Sequence, residues 1–182
     1  MKIRIHSYTY LYLSVLIFLI PLPWLLGWVS AVCFHEFCHW AAVKLCGGKV
    51  YSLTFGLGGA QMACAPLSEK KKLIATLSGP IGGFLPVFLG KWFPTLAVCS
   101  WALTVYNLIP IRPLDGGCVL EILTARFGST KRIEYIIMFF LTAVSIYSSV
   151  FLHLGVLPVA IAAGIWIRNV KFSCKPGQCK VQ

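Results

Sequence analysis

Long apolar runs separated by short polar or charged boundaries dominate this chain, and their lengths predict helices that cross a membrane. The first run covers about Tyr8 to Pro21, is extended by Ile3 and Ile5, and is broken by Pro21-Leu22-Pro23. A second, from about Trp24 to Leu45, stops at Gly47-Gly48, a helix C-terminal signal. After the charged boundary Glu69 to Lys72 a third span runs from Leu73 to Gly90, and further spans are expected over about Thr95 to Ile111, Ile133 to Leu152 and Gly155 to Ile167. Cys118 to Phe127 is a modest amphipathic piece. Only one stretch breaks the helical pattern. Between Lys49 and Pro66, Val50, Ser52 and Thr54 alternate with Tyr51, Leu53 and Phe55 before Gly56-Leu57-Gly58-Gly59, which predicts a short strand and turn. The expected fold is an all-α polytopic membrane protein of about six transmembrane helices, with a short membrane-associated β-hairpin after the second helix.

Composition narrows this further. Of 182 residues, 58% are hydrophobic and 12% charged, with a mean hydropathy of +0.82, which excludes an ordinary water-soluble globule. Six spans leave no room for a soluble domain, so one membrane domain over 1–182 is expected, with its core at about 24–117 and accessory helices at about 5–21 and 133–168. The net charge of +11 would suggest nucleic acid in a soluble protein. Here the lysines and arginines sit at the ends of apolar runs, where they anchor helices and set orientation, so nucleic acid is not an expected partner; the bilayer is. In a six-span arrangement all of them fall on one side except Lys91, which predicts a multi-pass cell-membrane protein with both termini cytoplasmic. The first run has no small-residue cleavage site and reads as a retained helix. Cys33, Cys38, Cys46, Cys64, Cys99 and Cys118 are scattered through apolar stretches as small hydrophobes, and Cys174 and Cys179 receive no role.

The chemistry concentrates in the second span, which contains His35-Glu36-Phe37-Cys38-His39. Spacing of i, i+4 puts both histidines on one helical face, where they can hold one Zn²⁺, with Glu36 alongside as general base. Ionisable groups inside a membrane helix are costly and therefore point to function. A catalytic zinc takes three protein ligands. Glu69 stands among three lysines and Glu134 follows Lys131 and Arg132, so both read as solvated charges; Glu121 reads as solvent-facing, and His6 and His153 lie at the wrong positions along the spans. Asp115 remains, at a helix break between Pro113 and Gly116-Gly117. Ser78-Gly79-Pro80-Ile81-Gly82-Gly83 on the third span reads as a surface for close helix packing.

These residues resemble the site-2 protease family of intramembrane zinc metalloproteases, and within it the bacterial branch typified by stage IV sporulation protein FB. The resemblance rests on His35-Glu36-x-x-His39, Ser78-Gly79-Pro80 and Asn107 to Gly117. It implies that His35, His39 and Asp115 bind one zinc per chain, that Glu36 activates water, and that Asn107 holds substrate or stabilises the transition state. Two departures stand out: Gly83 occupies the position of a family asparagine, and the C-terminal nucleotide-sensing domain common in the sporulation branch has no counterpart after the sixth span. The expected activity is cleavage of a membrane-associated or membrane-spanning protein near the cytoplasmic face, with inhibitory or regulatory membrane proteins as further partners. The competing reading is a non-catalytic metal carrier or helix-binding relative, which has no need of Glu36. A helical substrate must open before it is cut, and the strand at Lys49 to Phe55 is expected to hold it extended by strand addition at a free edge, through Leu53 and Thr54.

Overall fold

Prolines and glycines punctuate the chain where its helices start and stop. The computed structural model describes residues 2–5, 14, 17, 20–56, 59–124, 130–151, 157–173 and 180–181. The first expected span falls largely outside them, as do His6, His153, Cys174 and Cys179. The chain divides into two compact units, Met1–Ile109 with Gln178–Gln182, and Pro110–Gly177.

In the first unit, helix α1 (Leu22–Leu45) begins behind Pro21, with Pro23 in its opening turn, where a missing N–H leaves no helical bond unmade. It ends in a Schellman cap: Gly47 has φ +77°, its N–H bonds to Lys44 O at 2.9 Å, and Gly48 N–H bonds to Val43 O at 2.8 Å. Lys71 Nζ adds a bond to Cys46 O at 2.9 Å, placing a cation on the helix's negative end. The chain then forms β2 (Val50–Gly56) and β3 (Gly59–Cys64), an antiparallel hairpin at the expected place.

The hairpin belongs to a larger sheet. β1 (Lys2–Ile5) pairs parallel with β2, and β4 (Lys180–Val181) pairs with β3, in the order β1-β2-β3-β4. This corrects two expectations. Ile3 and Ile5 extend no helix; Lys2-Ile3-Arg4-Ile5 alternates with the period of a strand and forms one. Leu53 and Thr54, expected to offer a free edge to substrate, are already paired on both sides, with Ile3 and Arg4 on one and with Met62 and Gln61 on the other. A strand with both ladders filled has no backbone groups left for a third partner. A register shift between Val50 and Ser52 adds a bulge, which turns Val50 and Leu53 toward the same core cluster, formed by Ala42, Val43, Met62, Cys64 and Ala75. The Leu53 side chain thus anchors the sheet to the helices.

Helix α2 (Glu69–Gly83) passes through Phe84 into a 3₁₀ turn (Leu85–Leu89), and α3 (Pro94–Leu108) follows. The expected third span is therefore an α-helix continued by a tighter turn. Ala31 of α1 packs on Cys99 and Leu103 of α3.

In the second unit, α4 (Asp115–Thr124) follows a short irregular stretch, α5 spans Thr130–Phe151 and α6 spans Leu157–Ser173. Gly117 is built so close to Ile111 and Arg112 that a Cβ there would meet their backbone. Arg112 pairs with Glu121 and its carbonyl accepts a bond from Asn169 Nδ2 at 3.1 Å, so Glu121 holds the break before α4 instead of facing solvent freely. Trp166 Nε1 donates to Thr142 Oγ1 at 3.0 Å between α6 and α5. Phe139, Phe140 and Ile136 stand exposed along α5, as on a lipid-facing helix.

Among the described residues two helical stretches, Glu69–Leu89 and Lys131–Val150, have the length and hydropathy to cross a membrane; six were expected over the whole chain. At 1.5 Å per residue the 15 residues of α3 reach about 22 Å, short of a hydrocarbon core of about 30 Å. The prolines and glycines at the motifs cut helices shorter than the apolar runs that contain them.

Candidate metal centre

The i, i+4 spacing on α1 does what the sequence implies. His35 and His39 face inward, 3% and 0% exposed, while Phe37, between them, is 56% exposed on the opposite side. Their rings meet nearly edge to face, with centroids 4.8 Å apart, and the two Nε2 atoms approach to 3.2 Å. His39 Nδ1 donates to Ala75 O at 2.7 Å, because a carbonyl can only accept. That bond leaves the Nε2 of His39 with its lone pair, directed at the Nε2 of His35. Two nitrogens each about 2.0–2.1 Å from one tetrahedral ion stand about 3.3 Å apart, so the observed spacing suits zinc. Glu36 is half-buried beside them, one of its carboxylate oxygens enclosed.

Helix α2 is what closes in on this pair, and Ser78-Gly79-Pro80-Ile81-Gly82-Gly83 explains how. A Cβ at Gly79 would fall on the His39 ring, and one at Gly82 on Cys38 Sγ. Ser78 Oγ–H is shared between Ala75 O at 2.7 Å and Cys38 O at 3.1 Å, which ties α2 back to α1. The small residues therefore set the distance between helices, and through Ala75 they also orient a histidine. The packing role expected of this motif and a supporting role at the site coincide.

The remaining residues take the following positions. Asp115 is buried in the first turn of α4, in the second unit, and Gly116 and Gly117 behind it are buried too. Asn107 is half-buried in the last turn of α3. Glu69 is exposed, as expected. Glu134 is not: it is 7% exposed, and Oε1 has no hydrogen-bond partner among the described residues. The neighbouring Lys131 and Arg132 suggested a solvated charge, yet both are themselves exposed while Glu134, one turn beyond Lys131 and deeper along α5, is covered. Cys33, Cys38, Cys46 and Cys99 carry thiols outside any disulfide.

Comparison with known proteins extends the picture. Residues 70–148 match the family model described as Peptidase family M50, a stretch that starts after the His-Glu motif and includes Ser78-Gly79-Pro80, Asn107 and Asp115. The chain is also similar to a solved structure, the site-2 protease from Methanocaldococcus jannaschii, at 18% sequence identity and a TM-score of 0.69, over 96% of this chain and 92% of that one. At that identity the likeness is one of fold. No curated protein matches the chain at a significant level. The family match over residues 70–148 and the likeness of fold over most of the chain agree with each other, and both make this chain similar to the membrane-embedded metallopeptidases of the site-2 protease family.

Proposed function

We propose that this protein is an intramembrane zinc endopeptidase that cuts a membrane-associated or membrane-spanning protein near the cytoplasmic face, in the manner of regulated intramembrane proteolysis. The observation that carries the reading is the convergence of His35 Nε2 and His39 Nε2, with His39 held in the metal-binding tautomer by Ala75. Asp115, in the Leu114-Asp115-Gly116 motif, is the proposed third donor, completing a three-ligand set of the kind a catalytic zinc takes. When bound, zinc supplies a Lewis acid that polarises the scissile carbonyl and makes water acidic enough to react near neutral pH. Glu36, one residue from His35 and half-buried, takes the proton from the attacking water and returns it to the leaving amine. Asn107, in the last turn of α3, is proposed to hold the substrate or the transition state. The proposed catalytic core covers about 24–117, both termini are cytoplasmic, and Lys70 to Lys72, in the first turn of α2, mark its cytoplasmic end, a reading supported by the lopsided charge distribution. Within the family, placement in the sporulation branch rests on the quoted motifs.

The test separates chemistry from binding. Glu36→Gln should lower turnover of a transmembrane substrate about 10²- to 10⁴-fold while one zinc per chain remains. Asp115→Ala should lose most of the metal together with the activity. A full zinc complement and normal turnover in Asp115→Ala would remove Asp115 from the ligand set, and normal turnover in Glu36→Gln would end the protease reading of this motif.

A further inference from the structure

Ala75 fixes the outer nitrogen of His39, which raises the question of what does the same for His35. The position a Cβ would take at Gly83 lies against Thr104 Oγ1 and 3.5 Å from His35 Nδ1. Thr104 of α3 and His35 of α1 therefore border one small space, which Gly83 of α2 leaves open by having no side chain. Thr104 is completely enclosed, at 0% exposure, and its Oγ1 has no hydrogen-bond partner among the described residues. A threonine inside an apolar helix ordinarily returns its hydroxyl to the carbonyl four residues back. Thr124 does so with Leu120 O at 2.6 Å, and Thr142 with Met138 O at 2.8 Å. Thr104 makes no such bond, although a valine of the same shape would fill its place without burying a polar group.

We propose that Thr104 is a positioning residue for the metal centre: its hydroxyl, which makes no hydrogen bond among the described residues, turns across the space beside Gly83 to accept the Nδ1–H of His35 when metal is bound, and thereby holds Nε2 of that ring as a metal donor. The inference rests on the metal reading of His35 and His39 given above. Its chemistry is that of the Ala75 carbonyl on the other ring, since a metal-binding imidazole needs an acceptor on its far nitrogen to fix tautomer and orientation. Gly83 is part of the same device, because a side chain there would take up the space that the hydroxyl and the ring share.

The measurement is zinc affinity of the purified full chain by chelator competition, with thermal unfolding recorded in parallel. Thr104→Val should bind zinc about 10- to 100-fold more weakly than the parent, and Thr104→Ser should restore parental affinity. Gly83→Ala, which keeps the Thr104 hydroxyl in the chain but puts a methyl where that hydroxyl and His35 share space, should weaken zinc in the same direction, and it serves as the test if the valine variant does not fold. His35→Ala distinguishes the two levels of the argument. If His35→Ala loses zinc while Thr104→Val and Gly83→Ala keep parental affinity, the positioning role is wrong and the metal reading stands. If His35→Ala binds zinc like the parent, the metal reading fails and takes this inference with it. A Thr104→Val chain that melts higher with unchanged affinity also overturns the proposal, since that is how a buried hydroxyl without a role behaves.

Discussion

The seam between α1 and α2 and the four-stranded sheet belong to the same unit but are held by opposite means. Along the seam the identity of each side chain is decisive: Gly79 lies against the His39 ring, Gly82 against Cys38, and Ser78 binds the backbone of both helices. The sheet is held by main-chain bonds that any residue except proline can make, and its side chains matter mainly where Val50, Leu53 and Met62 meet the helices. A seam built from side chains can place a nitrogen to within a few tenths of an ångström, whereas a sheet built from backbone tolerates change and fixes only direction.

The contrast can be broken most directly at Gly79. Gly79→Ala should abolish zinc binding and reduce turnover by about 100-fold or more, because its methyl needs the volume of the His39 ring. Metal analysis with a cleavage assay decides it, and parental zinc content would show that the seam opens easily. A smaller effect is expected in the sheet. Thr54→Pro deletes an N–H from a strand bonded on both sides and should cost about 2–3 kcal/mol of unfolding free energy, while the folded fraction retains its zinc. Loss of zinc from well-folded Thr54→Pro would mean that sheet and seam are not separate. Gly82→Ala should cost about 1–3 kcal/mol through overpacking, and adding Cys38→Ala should recover most of that. A double-mutant cycle with no coupling between the two would show that α2 yields as a body. The smallest effect is assigned to half-buried Leu53, where truncation to alanine should cost about 1–2 kcal/mol and leave zinc affinity unchanged.

The same contrast explains what was legible in the sequence. The histidine pair and Glu36 were readable because helical spacing is strict and because polar residues stand out against an apolar run. The glycines of α2 were readable as packing residues, though nothing in their spacing indicated that one of them lies against His39. The sheet was half visible. Its hairpin follows from alternation and glycines, but Lys2-Ile3-Arg4-Ile5 is too short beside a longer apolar run to be told from an extension of that run, and its pairing with residues 52–55 is a long-range contact with no local signal. Thr104 was invisible for the opposite reason. A lone threonine in an apolar helix is ordinary, and only the position of Gly83 and His35 gives it meaning. Glu134 was misread because its sequence neighbours are basic, while burial depends on which face of the helix is covered.

The contact between Gly79 and His39 has a consequence for how this site can change by mutation. Any residue larger than glycine at 79 needs the space of the imidazole, and any replacement of the imidazole alone removes a metal donor and leaves a hole beside a glycine. Single-step routes away from either residue therefore pass through an inactive protein. The two positions, forty residues apart in the chain, can be exchanged only together, so the separation of these helices is inherited as one character and not as two independent sites.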